Sequence, residues 1–387
     1  MNRAGFSLLI ASILFVVVAP ATWIIAHHRN ADLWSHAVFL QQCLESRVIP
    51  EALLFYLTLA VVTGFSTNLN TIMAGMGFVL GMSIAARYWV SIRLLRGWRP
   101  AVATVPTLPS LLALAGITFV FCFPIPGERW MLPHIPPNYW HNSTSIFVMP
   151  FVVLLFAKAL DFVENTSAKG IASLTLLVAL NVLSKPSFFL CFIIAYPLYL
   201  ALQGRPWLRY LGVIVPLAVG VALLGFQYFY IYQLPAYRAF IGDETTHIAI
   251  GWFHVWSRYV HGTPAVAIPL VIANSILLPI ALALSYPKAF FGDRSIRFSL
   301  LLLGVAIAIY AVVYETGLRM MHGNFGWQPS MCNYLLHVCS LGVFVRVKME
   351  QTRWTFRDRA LLALFVAEVA VGLFYLFRLA TTSRGAA

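Results

Sequence analysis

Apolar residues run along this chain in unbroken blocks divided by short polar joints, with none of the alternation that a strand requires. Blocks near 5–26, 71–92, 109–125, 144–163, 170–184, 187–203, 209–231, 264–286, 297–317, 331–347 and 360–378 each predict a helix. Apolar runs of roughly 17–25 residues suit helices that cross ~30 Å of hydrocarbon. The pattern predicts an all-α fold, a polytopic transmembrane bundle of about 11 spans forming one domain over residues 1–387. A transmembrane barrel needs alternating segments and is not expected.

One further run, 51–65, is short for a span, ~22 Å at ~1.5 Å per residue. The placement of Lys and Arg decides how to read it. With 51–65 lying along the outer interface, the basic joints at 93–99, 288–297 and 346–359 fall on one side, as the positive-inside tendency asks. Were it to span, either those clusters would move outside or Asp32 would lie opposite the other polar loops. The non-spanning version is adopted, with juxtamembrane helices over about 33–65 and the N-terminus cytoplasmic. The start of the chain has features of a signal peptide, but its apolar run resumes at Thr22, which favours a retained first span.

Composition agrees. The chain of 387 residues is 60% hydrophobic and only 10% charged, against about 25% charged in soluble domains. The net charge of +13 sits in short loops that orient helices, so it does not argue for nucleic acid. Five scattered cysteines show neither a disulfide framework nor zinc spacing. With this parity most histidines and six acids fall on the outer loops 27–70, 126–143, 232–263 and 318–330, with Glu315 as a seventh outer acid just before the last, and a site is expected there.

Asp32 opens the helical pattern DLWSHAVFLQQCLE, with His36 one turn on. Asp32 reads either as a helix N-cap or as a general base paired with His36. Trp140, His141 and Asn142 stand just before a span after a proline-rich loop. They suit stacking on a sugar, or equally an interfacial aromatic belt. Lys185 lies in a tight joint between two short apolar runs, so it is recessed and needs a partner or a wet cavity. A phosphate is one partner; snorkelling to headgroups is the alternative.

Glu315, Arg319 and His322 share a helix face if the helix continues past 317. Arg319 then reaches a phosphate, or merely pairs with Glu315. Asn324, Trp327 and Gln328 follow in a glycine-rich turn and are candidates to meet a sugar. In 232–263, Trp252, Trp256 and Tyr259 form one stripe of an interfacial helix. His247, His254 and His261 recur every seven residues, too widely for one ion on a single helix.

With these elements in place the chain resembles the GT-C superfamily of integral-membrane glycosyltransferases, and is most similar to bacterial members that build surface polysaccharides of the cell envelope. The stretches that carry the resemblance are ADLWSHAVFLQQCLESRVIPEALLFYL, NYWHNSTSIFVMPF, LSKPSFFLCFIIAYPL and ETGLRMMHGNFGWQP. The resemblance implies a catalytic acid on the first outer loop, at Asp32, followed by juxtamembrane helices. It implies a polyprenyl-phosphate-linked sugar as donor, a glycan or lipid as acceptor, and a bacterial inner membrane with the active site outside. A second acid on a later outer loop is common in that superfamily; Glu128, Asp243 and Glu244 are the candidates.

The expected function is therefore sugar transfer. Asp32 either deprotonates the acceptor or helps hold a divalent cation. Lys185 and Arg319 neutralise the leaving phosphate. A polysaccharide polymerase or ligase is the alternative among enzymes. A lipid-linked sugar transporter or flippase is the alternative of another class. It expects ionisable residues within several spans, where only Glu368 is clearly mid-span.

Overall fold

The computed structural model describes residues 3–27, 32–98, 114–128, 131–204, 211–242, 246–351 and 353–381. The protein is an all-α polytopic membrane protein. Among the described residues, seven helices are long and apolar enough to cross a membrane, or eight if one bent pair counts as a span. The sequence pattern expected about 11. The runs 170–184 and 187–203 form helices of 17 and 16 residues, Ala168–Ser184 (α6) and Ser187–Leu202 (α7), about 25 Å each at ~1.5 Å per residue. The run 109–125 is helical only at 114–118 among its described residues, and 120–125 is irregular. The helix is lost at Phe119, and Pro124 and Pro126 keep the stretch that follows from resuming it.

The first unit pairs Arg3–Ala26 (α1) with Leu69–Trp98 (α4). Gly77 and Gly81 of α4 lie against Ala19 of α1, where an added Cβ would come within 2.8 Å of Ala19 atoms. Small residues four apart let two helices approach closely in lipid, where burial of apolar surface gives no drive. Between them in sequence come Asp32–Ser46 (α2) and Leu53–Val62 (α3). At 10 residues, ~15 Å, α3 cannot cross the bilayer. It packs on α4 and α6 and stops at Gly64 and Phe65, both with positive φ.

The helix Trp327–Glu350 (numbered below) is the axle of the rest. Every residue from Gln328 to Val345 is buried. Around it stand Ser143–Glu164 (α5), α7, Arg294–Val312 and the bent pair Pro264–Ser275 and Leu277–Ser285. Further helices are Ile214–Tyr232 (α8), Pro235–Ile241 (α9) and Phe356–Thr381, besides the short turns Trp256–Tyr259 and Pro287–Phe291. In chain order the bent pair is α10 and α11, Arg294–Val312 is α12, Trp327–Glu350 is α13 and Phe356–Thr381 is α14. Thr355 and Asp358 cap α14 reciprocally, with Thr355 N donating to Asp358 Oδ2 at 2.7 Å.

Two expectations are corrected. The helix expected to continue through Glu315 ends at Val312. Val313–Glu315 (β2) instead pairs antiparallel with Ile248–Ile250 (β1), and Gly317 at φ 65° turns the chain into a short 3-10 segment. The β-branched pair Val312–Val313 followed by Tyr314 favours the strand. The 232–263 loop is likewise no single interfacial helix: Trp256 is buried while Trp252 is 78% exposed. The stripe fails because strand β1 and the left-handed Phe253 break the helical register.

Candidate functional site

The site begins with a helix start. Asn142 is extended and caps α5, its side-chain Oδ1 accepting from Ser145 N at 2.9 Å. That cap fixes the amide, and its other end is then available. Asn142 Nδ2 donates to Asp32 Oδ2 at 2.6 Å. Lys185 Nζ donates to the same Asn142 Oδ1 at 3.3 Å and to Thr144 Oγ1 at 3.0 Å. One amide therefore holds an acid and a cation from segments more than forty residues away on each side.

Asp32 is the first residue of α2. Its carboxylate reaches across to Asn142, and its side chain remains 38% exposed. His36 Nε2 lies 3.8 Å from Asp32 Oδ2, too far for a hydrogen bond, while its Nδ1 is hydrogen-bonded to the Tyr56 hydroxyl on α3. Burial lowers the His36 pKa and Lys185 adds to this; Asp32 and Glu51 oppose it without winning. The imidazole is thus neutral.

Lys185 sits at the C-cap of α6, immediately before Pro186. It is 9% exposed, and among the described residues no carboxylate lies within ion-pair range of it. Its ammonium stands 5.3 Å from the centroid of Trp327, a favourable cation–π distance. Burial pushes its pKa down to about 8, although Asp32, Glu51 and Glu315 all pull it upward. Trp327 also meets Tyr139 and His141, at ring centroid distances of 5.2 and 5.6 Å. His141 Nδ1 is bonded to Tyr375 OH at 2.8 Å, and burial lowers its pKa to about 4.

A second cluster stands beside the first. Arg319 donates from Nη1 and Nη2 to Glu51 at 2.8 and 3.2 Å, and from Nε to Glu315 at 3.1 Å. Glu315 also accepts from Tyr232 OH and Asn324 Nδ2, both at 2.5 Å. Burial raises the Glu51 pKa, but the charge and hydrogen bonds of Arg319 outweigh that and leave it lowered. The clusters share a field, since Lys185 feels Glu51, Glu315 and Arg319, and His36 feels Lys185, Glu51 and His322.

Asp32, His36, His141, Asn142, Lys185 and Trp327 are thus brought together, with Glu315, Arg319 and Asn324 in the adjoining cluster. Trp140 is not presented to them: it is 1% exposed and stacks on Phe119. Gln328 is fully buried, with neither amide atom bonded. Arg319 is neutralised by two carboxylates rather than free for an anion. Glu128 receives the backbone N–H of His261, and Asp243 and Glu244 lie outside the described residues. The three heptad-spaced histidines go to different partners, His247 to Thr316, His254 to Arg258, and His261 through its backbone to Glu128. Among the described residues no three His, Cys, Asp or Glu converge as a metal site would need.

Sequence reasoning missed Glu51, Tyr56 and Thr144 as members. Thr144 was recoverable, being two residues past the capping Asn142. No protein-family model and no curated protein matches the chain.

Proposed function

We propose that this protein is a membrane glycosyltransferase of GT-C character, moving a sugar from a polyprenyl-phosphate-linked donor to a glycan or lipid acceptor. The observation that supports it most is the shared amide of Asn142, which fixes the Asp32 carboxylate at 2.6 Å and the Lys185 ammonium at 3.3 Å. A partly exposed acid and a buried, unpaired cation are what transfer from a phosphate leaving group requires.

In this reading the acceptor hydroxyl attacks the anomeric carbon. Asp32 takes its proton as the new C–O bond forms. The bond from that carbon to the phosphate oxygen breaks, and the electron pair stays on the phosphate beside Lys185. Neutral His36, held by Tyr56, lines the proton's path without competing for it. Trp327, edged by Tyr139 and His141, offers the sugar a wall. Arg319 acts as a positioning residue that keeps Glu51, and with it the start of α3, against the site. The site would face the outside of a bacterial inner membrane, as the distribution of basic loops suggests.

A second reading has one observation in its favour. The α10–α11 pair is bent by 70° at its break, and broken helices are frequent in transporters. A flippase for the same lipid would move the donor without consuming it. The test is a transfer assay with purified protein in lipid, a polyprenyl-phosphate sugar and candidate acceptors. Wild type should yield glycosylated acceptor and Asp32→Asn should lose at least ~10²-fold, the scale of a general base. Equal turnover by the variant removes Asp32 from the chemistry, and donor translocation without product favours the flippase.

A further inference from the structure

The axle helix and the bent pair meet α14 around Leu361 and Phe365. Glu368 lies near the middle of α14, ~18–20 Å from either end at ~1.5 Å per residue. It is 3% exposed. One carboxyl oxygen faces the backbone N–H of Leu278, in the first turn of α11, just past the break. The other, Oε2, has no hydrogen-bond partner among the described residues. An apolar cavity lies alongside, lined by Leu278, Leu282, Leu341, Phe344, Leu361 and Phe365.

The break is otherwise stitched shut. Asn333 Nδ2 on α13 donates to the Ser275 carbonyl at 2.8 Å. Ser275 Oγ accepts from Ile135 N at 3.1 Å, and Asn274 Nδ2 donates to the Phe123 carbonyl at 2.7 Å. Glu368 is therefore the one ionisable group built into this set of contacts that carries an unmet oxygen.

No cation faces it. Residues 5–26 of α1 and 264–285 of the bent pair contain no ionisable side chain. Cys122 is the only one in 114–125, and it lies within the field of Glu368. In the middle of α13 stands His337, its Nδ1 already held by Asn333 at 3.0 Å. A carboxylate in that setting would leave a charge in apolar surroundings, compensated only by the amide end of a short helix.

We propose that Glu368 is an intramembrane proton-binding site whose ionisation loosens the broken α10–α11 span. The step is a simple protonation, carboxylate plus one proton giving the neutral acid, with the proton supplied by water. In the neutral form one oxygen accepts from Leu278 and the hydroxyl proton removes the charge. In the ionised form Oε2 must draw in water, and the gap at Ile276 is where the fold can admit it. The inference does not depend on the transferase reading.

Infrared spectroscopy of the full chain in lipid nanodiscs tests it, comparing wild type with Glu368→Gln. The difference spectrum near neutral pH should contain the C=O stretch of one protonated carboxyl, lost as the sample is made alkaline. Protection factors over 276–285, which take out the intrinsic rise of exchange with pH, should fall several-fold on the same alkaline step in wild type and stay flat in the variant. A wild-type spectrum showing Glu368 as carboxylate near neutral pH would overturn the proposal. So would an equal fall of those protection factors in both proteins. If Glu368→Gln fails to fold, wild type carrying isotope-labelled glutamate gives the same infrared decision, because the band then either shifts with the label or is absent.

Discussion

Lys185 and Lys348 are almost matched. Lys185 is 9% exposed and the Lys348 side chain 8%. Each ammonium stands 5.3 Å from a tryptophan centroid, Trp327 for one and Trp354 for the other. They differ in a single respect. Lys348 donates to the fully buried Asp358 at 2.6 Å, and to Gln351 and the Arg353 carbonyl. Among the described residues Lys185 finds only neutral oxygens, those of Asn142 and Thr144. A buried charge held by a carboxylate joins two helices. One held by neutral dipoles keeps an unanswered positive field, and that field is available to an anion.

The sharpest way to break this comparison is to remove each ammonium in turn. Lys348→Met strands Asp358 and should cost ~3–5 kcal/mol of stability, as for any buried charge left unpaired. Lys185→Met strands no charge, so its thermal melt should stay within ~1 kcal/mol of wild type. Its turnover should nevertheless fall by ~10²–10³, the loss expected when a donor to developing charge is removed. Melting and transfer assays on the two variants check both halves. A reversed pattern would end the distinction.

Arg319 tests the same rule from the paired side. Glu51→Gln should destabilise by ~2–3 kcal/mol, since hydrogen bonds to a charged group are lost and Arg319 keeps only Glu315. The sign with pH follows from the lowered Glu51 pKa. Its contribution is present above the unfolded value of about 4.3 and disappears as pH falls through the lower folded value. Acid denaturation should therefore flatten in the variant over that window.

A smaller effect comes from Lys185 itself. Its pKa near 8 means the cation is lost as pH rises past that value. Binding of a polyprenyl phosphate should then weaken, approaching ~10-fold per pH unit for one linked proton. Lys185→Arg should move that alkaline limb upward. Smallest of all, Asn142→Ala should cost ~1 kcal/mol through the lost cap. It should also release Asp32 and Lys185 from their common anchor, which a rise in KM would report.

The parts legible in the sequence are those where a polar residue interrupts an apolar run. Asp32 and Lys185 were readable for that reason, and so was the failure of 51–65 to span. Glu51 was not, because its partner Arg319 lies 268 positions away and no local pattern joins them. The proline-rich stretch near 133–140 reads as a surface loop, yet it is buried throughout. Its polar groups are met by distant side chains, such as Asn333 on the Ile135 carbonyl at 2.7 Å. Trp140 shows the same limit, since an aromatic beside a span looks alike whether it faces lipid, ligand or, as here, Phe119. The end of α12 at Val312 was hidden because a strand partner, β1, lies more than sixty residues upstream.

The most direct test is phosphorus NMR of a polyprenyl phosphate titrated with the protein in lipid. Wild type and Lys348→Arg should shift and broaden the phosphate signal, and Lys185→Met should leave it as in protein-free lipid. An unchanged response in Lys185→Met would contradict the claim that the unpaired lysine marks the anion site.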